Sequence, residues 1–123
     1  MPDLRQTLGA VGEDAALGVY RARGYRLIAR NWRCRIGELD LVLARGETLV
    51  VCEVKTRRGL RYGSGWEAVT TRKQAKIRAV TQAFLLGSGA RPEAVRFDVA
   101  SVAVRPGSSR ARSADVEIFE DAF

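Results

Sequence analysis

Apolar residues recur at steps of three and four from Leu4 through Leu8, Val11, Ala15, Val19 and Ala22, which is one stripe of a helix. Gly24 is the expected C-cap of that helix. The pattern changes at Tyr25. From there to Arg33, aromatic and branched residues stand without a helical stripe, which predicts a strand, and Ile36-Gly37 breaks it. Two short apolar runs, Leu39 to Ala44 and Leu49 to Val54, predict two further strands, with Arg45-Gly46-Glu47-Thr48 between them as a hairpin turn. The three strands are expected to form an antiparallel meander.

Arg57 to Gly65 has no periodicity and reads as a basic, glycine-rich loop. Thr71 and Gln74 stand at capping-box spacing and predict the start of a second helix, with Thr70 as an alternative cap. That helix carries Ile77, Val80 and Phe84 on one face and is expected to end near Gly87. Val95, Phe97 and Val99 alternate as a fourth strand, Pro106 to Ser113 reads as a polar connector, and Val116 to Phe119 as a short closing strand. The order of elements, αβββαβ, predicts an α/β fold with a mixed four-stranded sheet. Its fourth strand should lie parallel to the third, because a strand, crossover helix and strand in one sheet run parallel. No repeat or boundary divides residues 1–123, so a single domain is expected.

Composition changes the picture in two ways. With 46% hydrophobic residues the chain builds a real core, and with 21 Lys plus Arg against 14 Asp plus Glu it carries a formal charge of +7, which favours a polyanion as partner. Histidine is absent, which excludes Ser-His-Asp and Cys-His catalysis and His-ligated zinc. Acid–base work must fall to carboxylates, Lys, Tyr or metal-activated water. Cys34 and Cys52 have neither zinc nor disulfide-framework spacing and read as small buried hydrophobes in a reducing, cytoplasmic setting. No signal peptide or membrane-spanning run is read, so no membrane contact is expected.

Candidate chemistry lies in the hairpin. Asp40 interrupts Leu39 to Leu43, and Glu53 and Lys55 flank Val54, each a burial cost in an apolar strand. Glu53 and Lys55, two residues apart, project from one face of their strand. A two-residue loop of Gly46 and Glu47 pairs Arg45 with Thr48, and in that register Asp40 faces Glu53 and Glu38 faces Lys55. Like charges so placed repel. Two carboxylates converging at strand ends suit Mg²⁺ or Mn²⁺, hard cations that take oxygen ligands and keep several waters. Lys55 beside them is suited to orienting water or stabilising charge on a phosphate. An ordinary ion pair with one of the basic residues is the competing reading of either carboxylate, and a solvated turn residue is that of Glu38. Arg57, Arg58 and Arg61 follow the strand directly and are suited to phosphates of a bound nucleic acid. Lys73 should emerge near the sheet end, Gln74 either caps its helix or touches substrate, and Tyr62 and Trp66 read as packing residues more than stacking ones.

Gly37-Glu38-Leu39-Asp40 followed by Glu53-Val54-Lys55, in this order of elements, resembles the PD-(D/E)XK nuclease superfamily. More narrowly, the chain resembles the YraN-like family of small bacterial proteins, a likeness that covers nearly its whole length. Arg30-Asn31-Trp32-Arg33, the run from Gly37 to Val42, Cys52 to Arg57, Glu67-Ala68-Val69 with Lys73-Gln74, Arg96-Phe97-Asp98-Val99 and Asp121-Ala122-Phe123 carry it. The layout is also similar to that of archaeal Holliday junction resolvases. The resemblance implies a restriction-endonuclease-like fold and a Mg²⁺- or Mn²⁺-dependent endonuclease acting on DNA, branched or structured DNA first, in repair or recombination. It implies Asp40 and Glu53 as metal ligands, Lys55 as the catalytic lysine, and Glu13 as a further acidic contributor. On a helical wheel Glu13 points away from the Leu8, Val11, Ala15 stripe, so its helix alone predicts a solvated position. The superfamily's proline is replaced by Leu39. A non-catalytic DNA-binding module with the same fold and an RNA-directed enzyme are the alternatives, and assembly as a homodimer is left open.

Overall fold

The computed structural model describes residues 7–59, 69–105 and 114–123. Leu4, Arg61, Tyr62, Trp66, most of the glycine-rich loop and the connector from Pro106 to Ser113 lie outside the described residues. Two helices, α1 (Leu8–Ala22) and α2 (Thr71–Ser88), sandwich a sheet of β1 (Arg26–Arg33), β2 (Glu38–Arg45), β3 (Thr48–Arg58), β4 (Ala94–Val104) and β5 (Ala114–Phe119). The strands lie in the order β1-β2-β3-β4-β5. β3 and β4 are parallel and every other neighbouring pair is antiparallel, as the meander and the crossover rule require.

The four-stranded expectation is corrected to five strands. β5 pairs with β4 from Val104↔Ala114 to Val99↔Phe119. Its Val116 and Ile118 pack on the α1-side core while Asp115 and Glu117 stay exposed, so it alternates like an edge strand with one wet face. β3 is the opposite case. Val50 and Cys52 pack under α1, and Leu49 and Val51 pack under α2, so its apolar run is continuous because both of its faces are covered.

Helix ends follow local chemistry, with small corrections. Thr7 caps α1 by accepting from the Ala10 N–H at 3.1 Å. The C-cap of α1 is Arg23, and Gly24 follows it at φ 89, the left-handed conformation that glycine adopts without a Cβ penalty. Thr70, not Thr71, caps α2, accepting from Lys73 N–H at 3.2 Å, and α2 runs past Gly87 to the left-handed cap Gly89. β1 is the other edge strand. A bulge at Ile28 shifts its register between Leu27 and Ala29, and Asn31 holds φ 53. Among the described residues no helix is long and apolar enough to cross a membrane.

Candidate functional site

β2 and β3 hold the expected register from Arg45↔Thr48 to Leu41↔Cys52, and there their ladder ends. Beyond it β2 keeps pairing with β1 through Trp32↔Leu39 and Arg33↔Glu38, while β3 keeps pairing with β4 from Glu53↔Val99 to Arg58↔Val104. The sheet forks, and Asp40 and Glu53 stand one step past the last rung. In place of a ladder bond, Asp40 Oδ2 accepts the Val54 N–H at 2.8 Å. The fork also breaks the alternation of β2: Leu39 and Val42, three apart, both join the α2-side core.

Both carboxylates are held in an environment that disfavours their charge. Burial, then the charges of Glu13 and Glu38, push the half-buried Asp40 carboxyl up, against the Val54 N–H and Lys73. Glu53 is buried, and burial with the neighbouring Asp40 charge pushes its carboxyl up to about 7, against Lys73, the Asp40 backbone and Lys55. Its Oε1 lies 3.8 Å from Lys73 Nζ, and its buried Oε2 has no hydrogen-bond partner. An unsatisfied buried acceptor costs roughly 1–3 kcal/mol, so it requires an explanation.

Asp98 shows how this sequence satisfies a carboxylate whose role is structural. It is fully buried and accepts from Tyr20 OH at 2.6 Å, from Arg96 Nε and Nη2 at 2.9 Å each, and from Asp121 N–H at 3.0 Å. Arg96 also donates to Tyr25 OH at 2.9 Å. Both oxygens of that carboxylate are satisfied by the fold. Glu53, on the neighbouring strand, has the Asp40 backbone and the Lys73 ammonium at 3.8 Å beside it, and its buried Oε2 is left without a hydrogen bond.

Asp40 and Glu53 share a cavity of about 210 Å³ with Glu38, Lys73, Lys76, Ile77 and Val80. Lys73 thus reaches the carboxylates from α2, and Lys76, which sequence reasoning passed over, joins it one turn later. Gly37 leaves it room: a Cβ there would stand 2.9 Å from Lys76 Cε and 3.3 Å from Val80 Cγ2. Gln74 Nε2 donates to Val69 O at 2.8 Å, which commits it to the helix entrance. Lys55 is half-buried, follows Glu53 on the same face of β3 and lies beside Ser101 of β4. Arg57 is half-buried with its Nε buried and unpartnered, and Arg58 is exposed.

Two expectations are corrected. Glu38 does not face Lys55 in the ladder. It begins β2, pairs with Arg33 of β1 and lines the cavity, because the fork leaves it on the β1 side. Glu13 is not solvated: it is 9% exposed, and its Oε1 accepts from Arg30 Nε and Asn31 Nδ2 at 3.1 Å each. A wheel drawn on apolar positions cannot see polar partners arriving from β1. Cys52 is buried and its thiol is pushed up by burial, while Cys34 is half-buried against the α2-side core. Among the described residues no group of three or more His, Cys, Asp or Glu is gathered for a metal. Glu38, Asp40 and Glu53 are the carboxylates that line the cavity.

The family model described as "Uncharacterised protein family UPF0102" matches residues 12–102, a span that includes Glu13, Asp40, Glu53, Lys55 and Lys73. A UPF0102 protein of Parafrankia sp. (strain EAN1pec) is 51% identical over 106 residues, covering 85% of this chain and 90% of its own. One from Frankia casuarinae is 48% identical over 119 residues, 97% of this chain and 98% of its own. One from Symbiobacterium thermophilum is 47% identical over 104 residues, 85% and 86% respectively.

Proposed function

The chain belongs to the UPF0102 family, and from that premise we propose that it is a divalent-metal-dependent endonuclease of restriction-endonuclease-like fold that hydrolyses DNA phosphodiesters, on branched or structured DNA first. The observation that carries this reading is the contrast between Asp98, with both oxygens hydrogen-bonded, and Glu53, with a buried Oε2 unpaired beside a second carboxylate. A fold that satisfies one buried carboxylate so fully and leaves its neighbour short of partners reserves the second for a ligand.

Mg²⁺ or Mn²⁺ fits the donors present, since such ions are bound through one or two carboxylates and retain waters. Asp40 and Glu53 would hold it. When bound, the ion supplies Lewis-acid stabilisation and acidifies water. The protein's own groups supply the rest. Asp40 stays fixed by the Val54 N–H, which sets the carboxylate's direction at the fork. Lys55, on the Glu53 face of β3, would supply an ammonium to stabilise charge building on a phosphate or to orient the attacking water. Lys73 and Lys76 line the cavity from α2 and suit phosphate oxygens on that side. Arg57 and Arg58, the last residues of β3, and Arg61, which follows in the sequence, suit further phosphates, and Gln74 steadies the helix that presents Lys73. Glu13 and Glu38 add further negative charge to that of Asp40 and Glu53.

The test is incubation of the purified chain with linear, flapped and four-way DNA in Mn²⁺, with cleavage read on denaturing gels. Metal-dependent cleavage of the structured substrates is expected. Binding without cleavage on every substrate would replace the enzyme by a recruitment module, and cleavage of RNA alone would move the substrate class.

A further inference from the structure

We propose that the tip of the β1–β2 hairpin, Arg35 and Ile36, receives an unpaired nucleobase of the bound DNA beside the carboxylate cavity, an inference that rests on the nucleic-acid reading above. β2 parts from β3 after Leu41↔Cys52 but stays paired with β1 as far as Arg33↔Glu38, so this end of the pair extends past the fork as a two-stranded finger. The turn that closes it is held by the Cys34 N–H, which donates to Gly37 O at 2.9 Å. Gly37 also sets the finger against α2, because a Cβ there would stand 2.9 Å from Lys76 Cε and 3.3 Å from Val80 Cγ2. Lys76 and Val80 line the carboxylate cavity. Ala83, one turn further along α2, lines an open groove of about 560 Å³ with Cys34, Arg35 and Ile36. The contact at Gly37 therefore separates two neighbouring sites.

The groove suits a base. Turn tips ordinarily carry Gly, Pro, Asn, Asp or Ser, yet Ile36 stands at this one and is 47% exposed. The floor is firm, since Cys34 packs against the α2-side core. Arg35 is the one charged residue among those that line the groove, and it is exposed, with no hydrogen bond or ion pair to a described residue. The volume lies within the roughly 300–1,000 Å³ that small organic ligands occupy. Nucleic-acid-binding proteins set apolar side chains such as Ile against unstacked bases, and an Arg guanidinium lies on base faces or takes phosphates. A purely apolar protein partner would have no use for cations on both sides of the apolar tip, Arg35 on one and Lys73 and Lys76 on the other. A polyanion with apolar base faces does. The consequence is substrate selection: a base already unpaired at a branch costs least to take from the stack, so the groove favours flapped or branched DNA over linear duplex.

Flapped DNA carrying 2-aminopurine at the first unpaired position, whose fluorescence rises when the base leaves the stack, tests this with the full chain at saturating concentration in Ca²⁺. Binding should raise the signal about threefold on the flap and leave the same label inside a linear duplex nearly unchanged. Ile36→Ser, which suits a turn, should remove most of the rise and about tenfold of the preference for flapped over linear DNA. Ala83→Leu keeps the helix, narrows the groove from α2 and should act alike, which decides the matter should Ile36→Ser fail to fold. If Ile36 serves only to pack the finger on α2, Ile36→Ser lowers the urea midpoint and leaves the rise intact. That result overturns the proposal, as does a wild type that binds the flap with no rise. A chain that gives the rise yet cuts no DNA bears the inference out while refuting cleavage. A chain that binds no DNA refutes the nucleic-acid reading, and this inference with it.

Discussion

Replacing Glu53 by Gln removes one negative charge from the fork and keeps the side chain's size. In the metal-free wild type the folded chain holds this proton until about pH 7, whereas the unfolded chain releases it near 4.5. Between those values the native state binds more protons than the unfolded state, so stability falls as pH rises, and the whole penalty is present above the folded value. The separation between 4.5 and about 7, at about 1.4 kcal/mol per pH unit, amounts to about 3 kcal/mol. Asp40 is shifted the same way and steepens the same slope. Gln does not titrate, so Glu53→Gln should match the wild type in acid and exceed it by about 3 kcal/mol above about pH 8, roughly 10 °C in Tm. Urea unfolding across that pH range in EDTA measures the difference directly. Mg²⁺ added at the alkaline end should then restore the wild type by mass action and leave the variant nearly unmoved. Parallel pH profiles for the two proteins, with no metal effect on either, would refute the reasoning, because Glu53 would then be charged at no cost and need no ion.

Lys55→Ala should abolish cleavage while DNA affinity, measured by anisotropy in Ca²⁺, stays within a few-fold of wild type; full Mn²⁺-dependent turnover by the variant would remove Lys55 from the chemistry. Replacing Arg57, Arg58 and Arg61 by Ala should flatten the slope of log affinity against log salt by roughly 2 to 3, at about 0.9 for each phosphate that is no longer neutralised. An unchanged slope takes this segment off the binding surface. Asp98→Ala should cost about 3 kcal/mol in chemical denaturation, since it strands the buried Tyr20 hydroxyl and takes the main acceptor from the half-buried Arg96, and a loss near zero would contradict the network described. Gly12→Ala should cost about 2 kcal/mol, because a Cβ there would stand 1.8 Å from Thr56 Oγ1 and force α1 away from β3. Wild-type stability in that variant would mean that α1 has room to spare.

Particular residues show how much of the site was legible in the chain. Asp40, Glu53 and Lys55 stand out because a carboxylate or an ammonium in an apolar strand is a cost visible without coordinates. Asp98 carries the same signal, with Arg96 two residues before it on one strand face, and the structure gives it the opposite meaning. Burial cost alone therefore identifies a carboxylate that needs a partner. It does not say whether the fold or a ligand supplies one.

The sequence by itself determined where helices and strands run, the hairpin register down to Leu41↔Cys52, the parallel placing of β4, and so the meeting of Asp40 with Glu53. These follow from side-chain period, turn length and capping, which act over a few residues and are written locally. Tertiary structure alone decided that β2 and β3 part at Asp40, that Arg30 and Asn31 of β1 hold a buried Glu13, and that Lys73 and Lys76 reach the carboxylates from α2. It also paired the closing strand with β4 and so made the sheet five-stranded. Those outcomes depend on which polar groups of distant segments meet once both faces of the sheet are covered. No local pattern specifies such meetings, because each is fixed by the packing of α1 and α2 on opposite faces and not by the period of either partner.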